Sequence, residues 1–172
     1  MATTNTLFIL DPKGSTPPAT LFATLDTISE GSAPVSVIPV LDFDGATDEH
    51  ADWWLTMPSH YGGGGLTFSY KYAVDGTDVD IVELEFRVIV LADLDILTGD
   101  LGIDGATAAA LQDTPASTPT DKLNVTGTVG LSHANAGSPS VGDRLVIRVT
   151  RDISAATNTD DLQLLEVLVL ET

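Results

Sequence analysis

The stretches GDRLVIRVTRD (142–152) and DDLQLLEVLVLET (160–172) decide the fold. In the first, Leu145, Ile147 and Val149 alternate with Arg144 and Arg148, the period of two that turns one face to a core and the other to water. In the second, Leu165, Val167 and Val169 form one face, while Leu162, Leu164, Leu168 and Leu170 make the other face apolar too. A strand apolar on both faces must be covered on both. The pattern therefore predicts an opposing sheet on one side and a loop, arm or second subunit on the other.

Working outward, the alternation recurs. Leu66, Phe68, Tyr70, Tyr72 and Val74 alternate with Thr67, Ser69 and Lys71, and Val82, Leu84, Phe86, Val88 and Val90 alternate with Glu83, Glu85 and Arg87. Leu123, Val125, Val129 and Leu131 mark a further strand. Val35, Val37, Leu41 and Phe43 mark another, and its Pro39 predicts an edge position because proline has no hydrogen to donate to a ladder. Residues 92–120, rich in Asp, Gly, Thr and Pro, predict a long loop with one short helix at 106–112. Residues 1–33 mix turn formers with isolated hydrophobic anchors and predict an extended N-terminal arm before a body of residues 34–172. About eight strands with long connections predict an all-β fold, a two-sheet antiparallel β-sandwich of jelly-roll type.

Composition narrows the function. A chain of 172 residues with 43% hydrophobic content suits one domain able to bury roughly 70% of its unfolded surface. Seven Lys and Arg against 25 Asp and Glu leave a net charge of −18, so the cationic clusters that release counter-ions from nucleic acid are lacking and neither nucleic acid nor an anionic membrane is an expected partner. The chain has no cysteine, hence no disulfide framework or thiolate site. No basic leader and no apolar run of spanning length is visible, which predicts synthesis in the cytoplasm and a soluble product.

No catalytic set is expected. DVDIVE (78–83) resembles the carboxylate signature of jelly-roll endoglucanases, but Asp78 stands where a Glu is needed and strand alternation turns Glu83 away from Asp78 and Asp80. Two acidic stretches offer clustered oxygens suited to calcium: Asp42, Asp44, Asp48, Glu49 and Asp52, and Asp93, Asp95, Asp100 and Asp104. Neither has the EF-hand register, so neither metal nor cofactor is assigned. His50, His60 and His133 fall in three separate expected loops. Ser132 and His133, as neighbours on an extended chain, point apart and cannot act as nucleophile and base. YGGGGL (61–66) carries no lysine and opens a strand, so it reads as a backbone bend or a close approach of chains rather than a phosphate cradle. Trp53 and Trp54 must face opposite ways on an extended segment, one into the core. Lys71, Arg87, Arg144, Arg148 and Arg151 lie in strands, where pairing with Glu83, Glu85 and Glu166 is expected.

The block PVLDFDGATDEHADWWLTMPSHYGGGGLTFSYKYA (39–73), with GDRLVIRVTRD and LQLLEVLVLET, resembles a family of tailed-bacteriophage virion structural proteins, over roughly residues 39–172. The resemblance implies a jelly-roll capsid decoration, or cement, protein: a homotrimer on the capsid surface that clamps the major capsid protein and has no catalytic residues. On that reading the 7–10 segment and Leu21, Phe22, Leu25 and Ile28 dock on neighbouring subunits, and Leu162, Leu164, Leu168 and Leu170 pack subunit on subunit. The alternative is a tail or fibre domain that binds host surface glycans, with Trp53 or Trp54, Tyr61 and nearby acids as a sugar platform.

Overall fold

The computed structural model describes residues 5–29, 31–95, 97–116 and 120–172. Eleven strands form two antiparallel sheets: β1 (Thr6–Leu10), β2 (Thr24–Ser29), β3 (Val37–Phe43), β4 (Glu49–Thr56), β5 (Leu66–Val74), β6 (Val82–Leu91), β7 (Ala109–Asp113), β8 (Asn124–Val125), β9 (Val129–Leu131), β10 (Arg144–Arg151) and β11 (Leu162–Glu171). The seven-stranded sheet runs β2–β3–β11–β5–β8, with β1 beside β11 and β9 beside β5; the four-stranded sheet runs β4–β10–β6–β7. The all-β sandwich is as expected, with eleven strands among the described residues in place of about eight.

The final strand corrects the pattern reading. β11 pairs with β5 along its whole length, but the register slips between Leu164 and Glu166. One extra residue, Leu165, shifts the inward set from even to odd positions. Leu162 and Leu164 are therefore core residues, as are Val167 and Val169. The expected subunit-packing face of Leu162, Leu164, Leu168 and Leu170 does not exist as one face. Only Leu168 and Leu170, both half-buried, lie on the outside of the sheet.

Across the sandwich, Phe68 of β5 stacks on Phe86 of β6 with ring centroids 4.8 Å apart. The Tyr70 and Tyr72 hydroxyls cross to the other sheet and donate to the Leu111 carbonyl and an Asp113 carboxylate at 3.2 and 2.9 Å. Each apolar body is thus buried while its polar tip is satisfied. Arg151, fully buried, donates to the carbonyls of Phe43 and Asn158 at 2.9 and 3.0 Å. Burial lowers its pKa, and Asp161, Asp44, Asp42 and Glu49 oppose that by their charge.

The expected N-terminal arm is, from residue 5, part of the sandwich; residues 1–4 and 30 lie outside the described set. β1 pairs with the second half of β11 and buries Leu7 and Leu10, so the 7–10 segment is not free to dock elsewhere. Bridges Thr16↔Asp52 and Phe22↔His50 then run along the open edge of β4. Such a cover blunts an edge that would otherwise offer unpaired amides. β2 and β3 form a hairpin at the opposite margin. β3 meets β11 only at Leu41–Phe43, so Pro39 has a partner on one side alone, in the place where a missing amide hydrogen is tolerated.

The helix expected at 106–112 is also absent. Residues Ile103–Gly105 make a single 3-10 turn and Ala109–Asp113 is strand β7, paired with β6. The four alanines in this window cannot hold a helix this short without tertiary support, whereas the edge of β6 supplies five ladder partners.

Two of the four glycines at 62–65 meet one carboxylate. Glu171, at the end of β11, accepts the amide hydrogens of Gly62 and Gly64 at 2.7 and 3.0 Å and one from Asn5 Nδ2 at 3.4 Å. A Cβ on Gly64 would stand 2.2 Å from the Thr172 carbonyl, and one on Gly65 would stand 2.5 Å from that of Leu131. The run is a nest for the chain's own acid, and the Gly64 and Gly62 amides hold the Glu171 pKa below its ordinary value. A depressed carboxylate stabilises the fold above its ordinary range and loses that contribution as pH falls. Glu171→Gln is expected to cost about 1.5–3 kcal/mol in urea unfolding near neutral pH, and the gap to wild type should close on acidification.

Candidate functional site

β4, β10 and β6 lie side by side, and their outward residues form cross-strand rows. Ala51, Trp53 and Leu55 turn inward against Val149, Ile147 and Leu145, which leaves His50, Asp52 and Trp54 outside against Thr150, Arg148 and Val146. On the far side of β10, Arg148, Val146 and Arg144 face Arg87, Ile89 and Leu91 of β6. Two rows result, Trp54–Val146–Ile89 and Thr56–Arg144–Leu91.

The two tryptophans separate as alternation requires. Trp53 is 2% exposed and its Nε1 donates to the Asp11 carbonyl at 3.0 Å; Trp54 is half-buried on the outer face. Tyr61 is buried, with its hydroxyl on the Gly64 carbonyl and on His133 Nδ1. Trp53 and Tyr61 therefore cannot present a ring to a ligand, and Trp54 can.

Charge on this face is arranged in pairs. Asp52 grips Arg148 through two hydrogen bonds of 2.7 and 2.8 Å, and Asp104 takes the remaining side of the guanidinium at 2.7 Å. Arg87, directly opposite Arg148, is paired with Glu85 at 2.6 Å. Two cations standing opposite each other would repel, and the three carboxylates remove that cost. His50 hydrogen-bonds Thr150 at 2.9 Å, and burial followed by the nearby Arg148 lowers its pKa. His50 is a strand residue rather than a loop residue, and the three histidines stand with different partners.

Asp104 belongs to the loop that walls this face. A cleft of about 480 Å³ opens between Val88, Ile89 and Val90, the 101–107 loop and Ala134, Asn135 and Gly137. An adjoining cleft of about 420 Å³ is lined by Val90, Leu91, Asp95, Gly99, Asp100 and Leu101. Ile89 and Leu91 end the two rows described above. The face therefore carries a half-buried indole at one margin and two open clefts of mixed apolar and polar lining at the other, with Val146 buried between them.

The acids tell a different story. In the first calcium-suited stretch, Asp44 accepts the Ala46 amide, Glu49 the Asp44 amide and Asp48 the Ile153 amide, while Asp52 belongs to Arg148. In the second, Asp95 and Asp100 accept the Ala92 and Gly102 amides. Asp78 of the glycosidase-like DVDIVE accepts Thr159 and Asp80 amides, and Glu83 is buried on Gln112 at 2.6 Å. These are loop caps and pair partners. Glu83, Glu85 and Asp152, which the sequence did not single out together, bring carboxylate oxygens within 4.8 Å of one another. Arg87, Gln112 and Ser154 already occupy them, so their approach is accounted for without a metal.

Beside Gln163 on the outside of the larger sheet stands Asp42. Burial, then Asp161, Asp75, Asp26 and Glu49, raises its pKa from 3.8 to about 6, and its Oδ1 has no hydrogen-bond partner among the described residues.

No family profile matches the sequence, and no curated protein does. Solved structures share the fold. A module named CBM35, from Cellvibrio japonicus Abf62, superposes with a TM-score of 0.54 at 12% identity over 99% of this chain and 94% of its own. A family 35 carbohydrate-binding module from Clostridium thermocellum gives 0.51 at 16% identity over 99% and 100%. TmCBM27, a carbohydrate-binding module described for specific mannan recognition, gives 0.50 at 9% over 99% of each chain. At these identities the likeness establishes the jelly-roll sandwich and nothing finer, and it gives no support to a capsid protein. No helix among the described residues is long and apolar enough to cross a membrane.

An acid whose folded pKa is raised opposes folding once it ionises, so stability falls as pH rises between 3.8 and about 6. Asp42→Asn removes that charge. The variant is expected to exceed wild type by about 1 kcal/mol at pH 7 to 8, a figure reduced for partial exposure, and to lose the advantage below pH 4. Paired thermal melts across that range check it; an Asn variant less stable at pH 8 would refute the assignment.

Proposed function

We propose that the chain is a non-catalytic carbohydrate-binding module whose glycan lies on the outer face of the four-stranded sheet, against Trp54. The observation that carries this reading is the half-buried Trp54 set in line with Val146 and Ile89, the last of which lines the walled cleft. A sugar ring offers an apolar face edged with hydroxyls. An indole supplies the matching apolar plane, and the exposed Asp104 carboxylate, paired with Arg148, supplies acceptors beside it. The fold shared with carbohydrate-binding modules is consistent with this role. Host-surface glycans, the ligand expected of a tail or fibre domain, are one source of such a chain.

Affinity electrophoresis through gels cast with soluble polysaccharides, followed by titration with the ligand found, tests the reading. Trp54→Ala is expected to weaken binding about tenfold or more, since it removes both the stack and its buried area. Full retention of binding would sink the proposal.

A second reading, assembly into an oligomer such as a trimer on a capsid, draws on the β2–β3 hairpin. Leu25, Val35, Val37 and Ile38 are exposed there, between 46% and 59%, and Ile28 is half-buried; Leu21 and Phe22, 52% and 43% exposed, lie before the hairpin beside β4. Exposed apolar side chains on an open edge strand are an invitation to a partner. Sedimentation should then give an oligomer at micromolar concentration and a monomer for Leu25→Asp combined with Val37→Asp; a monomeric wild type would end this reading.

A further inference from the structure

We propose that the groove selects glycans bearing an isolated anionic substituent, a carboxylate, sulfate or phosphate, and that Arg144 is the group that reads it; this rests on the glycan-groove reading above. Four of the strand cations are already engaged. Lys71 is bound to Glu166 at 2.9 Å, Arg87 to Glu85, Arg148 to Asp52 and Asp104, and Arg151 to buried carbonyls. Arg144 is exposed and its side chain, among the described residues, makes no hydrogen bond, ion pair or ring contact. In a chain of net charge −18 a guanidinium left without a carboxylate stands apart from the pattern of the same sheet face.

Its position gives it a use. Arg144 lies opposite Thr56 on β4 and Leu91 on β6, and Val146, two residues on, lies opposite Trp54. Arg144 and Trp54 are thus diagonal neighbours on one face, about 7–8 Å apart at the backbone and within reach of long and aromatic side chains. Leu91, on its other side, lines the second cleft. A sugar stacked on the indole projects its substituents sideways, in the plane of the ring, toward Arg144. The guanidinium fork matches a planar carboxylate, or two oxygens of a sulfate or phosphate, with two parallel hydrogen bonds.

Charge also limits the ligand. Fields are screened over about 8 Å at physiological ionic strength, so one anionic group beside Arg144 feels mainly its local surroundings. A densely charged polymer would cross the rest of an acidic surface and be repelled. Asp95 and Asp100 in the groove wall likewise suit neutral sugars with hydroxyls to donate. The expected ligand is a largely neutral chain with one acidic residue in the bound segment.

The test is calorimetric titration of the full chain with matched oligosaccharides: neutral, and with one uronic-acid, one sulfated or one phosphorylated residue. Xylo- and galacto-oligosaccharides provide such sets. At least one anionic form is expected to bind about tenfold to a hundredfold tighter than its neutral partner, the range of a charged hydrogen-bonded pair, with the preference shrinking as salt is raised. Arg144→Gln should bring each pair to near parity while its melting temperature stays that of wild type, and Arg144→Lys should restore part of the preference. Equal binding of neutral and anionic forms by wild type, or a preference that survives Arg144→Gln, overturns the role of Arg144 and leaves the groove standing. Absence of binding to every polysaccharide in the gel assay overturns both.

Discussion

Between Leu164 and Glu166 the central strand β11 carries one extra residue, and because strand side chains alternate with a period of two, that residue exchanges its inner and outer faces. The first half of β11 pairs with β3 through even-numbered inward residues, and the second half pairs with β1 through odd-numbered ones. β5, on the other side, keeps one uninterrupted phase from Leu66 to Val74. The bulge therefore lets one long strand serve two short partners that come from different parts of the chain. It also places Glu166 outward, opposite Lys71. At the far end of the same strand Glu171 reaches the glycine amides and fastens the 61–65 turn to the sheet.

What could be read from the sequence follows from this. β5, β6 and β10 have unbroken alternation, so their core faces are visible in the residues themselves. β11 has equally regular chemistry, but with the bulge unseen its leucines suggest a second apolar face. The alanines at 108–110 look helical in isolation, and only the neighbouring edge of β6 makes them a strand. The N-terminal segment looks like an arm because its hydrophobic residues are sparse; they are sparse because β1 is short and the next stretch merely edges β4. At the site, local alternation is enough to part Trp53 from Trp54, though not to tell which is inside. Arg144 is visible as an outward residue, but its closeness to Trp54 depends on the β4–β10 register, which joins residues about 90 apart in sequence and has no local signature.

The distribution of charge explains how so acidic a chain accommodates its carboxylates. Most aspartates are turn residues whose oxygens accept backbone hydrogens, as Asp44, Asp78, Asp95 and Asp152 do. Such bonds favour the ionised form; they lower the pKa of Asp78, and the Ser154 hydroxyl, then backbone amides, lower that of Asp152. Near Asp42 the balance reverses, because burial and four neighbouring acids outweigh the bonds available. Arg151 supplies the internal cation at that end of the sandwich, and its two bonds to backbone carbonyls make its burial tolerable.

The proposed groove has a rigid floor and a wall held by one buried side chain and one exposed ion pair. The floor lies on three strands paired along eight residues each, and its central ion pair is doubly hydrogen-bonded with both side chains about nine-tenths buried. Breaking such a pair leaves a buried charge uncompensated and costs several kcal/mol. The wall is joined to this floor by Asp104, whose side chain is 77% exposed, and an ion pair open to water on one side contributes about 1 kcal/mol or less. Thermal energy can release Asp104 without disturbing Asp52 and Arg148. Ile103 of the same loop is buried at 6% exposure, so the 101–107 segment stays seated by an apolar side chain whether or not Asp104 keeps its bond to Arg148.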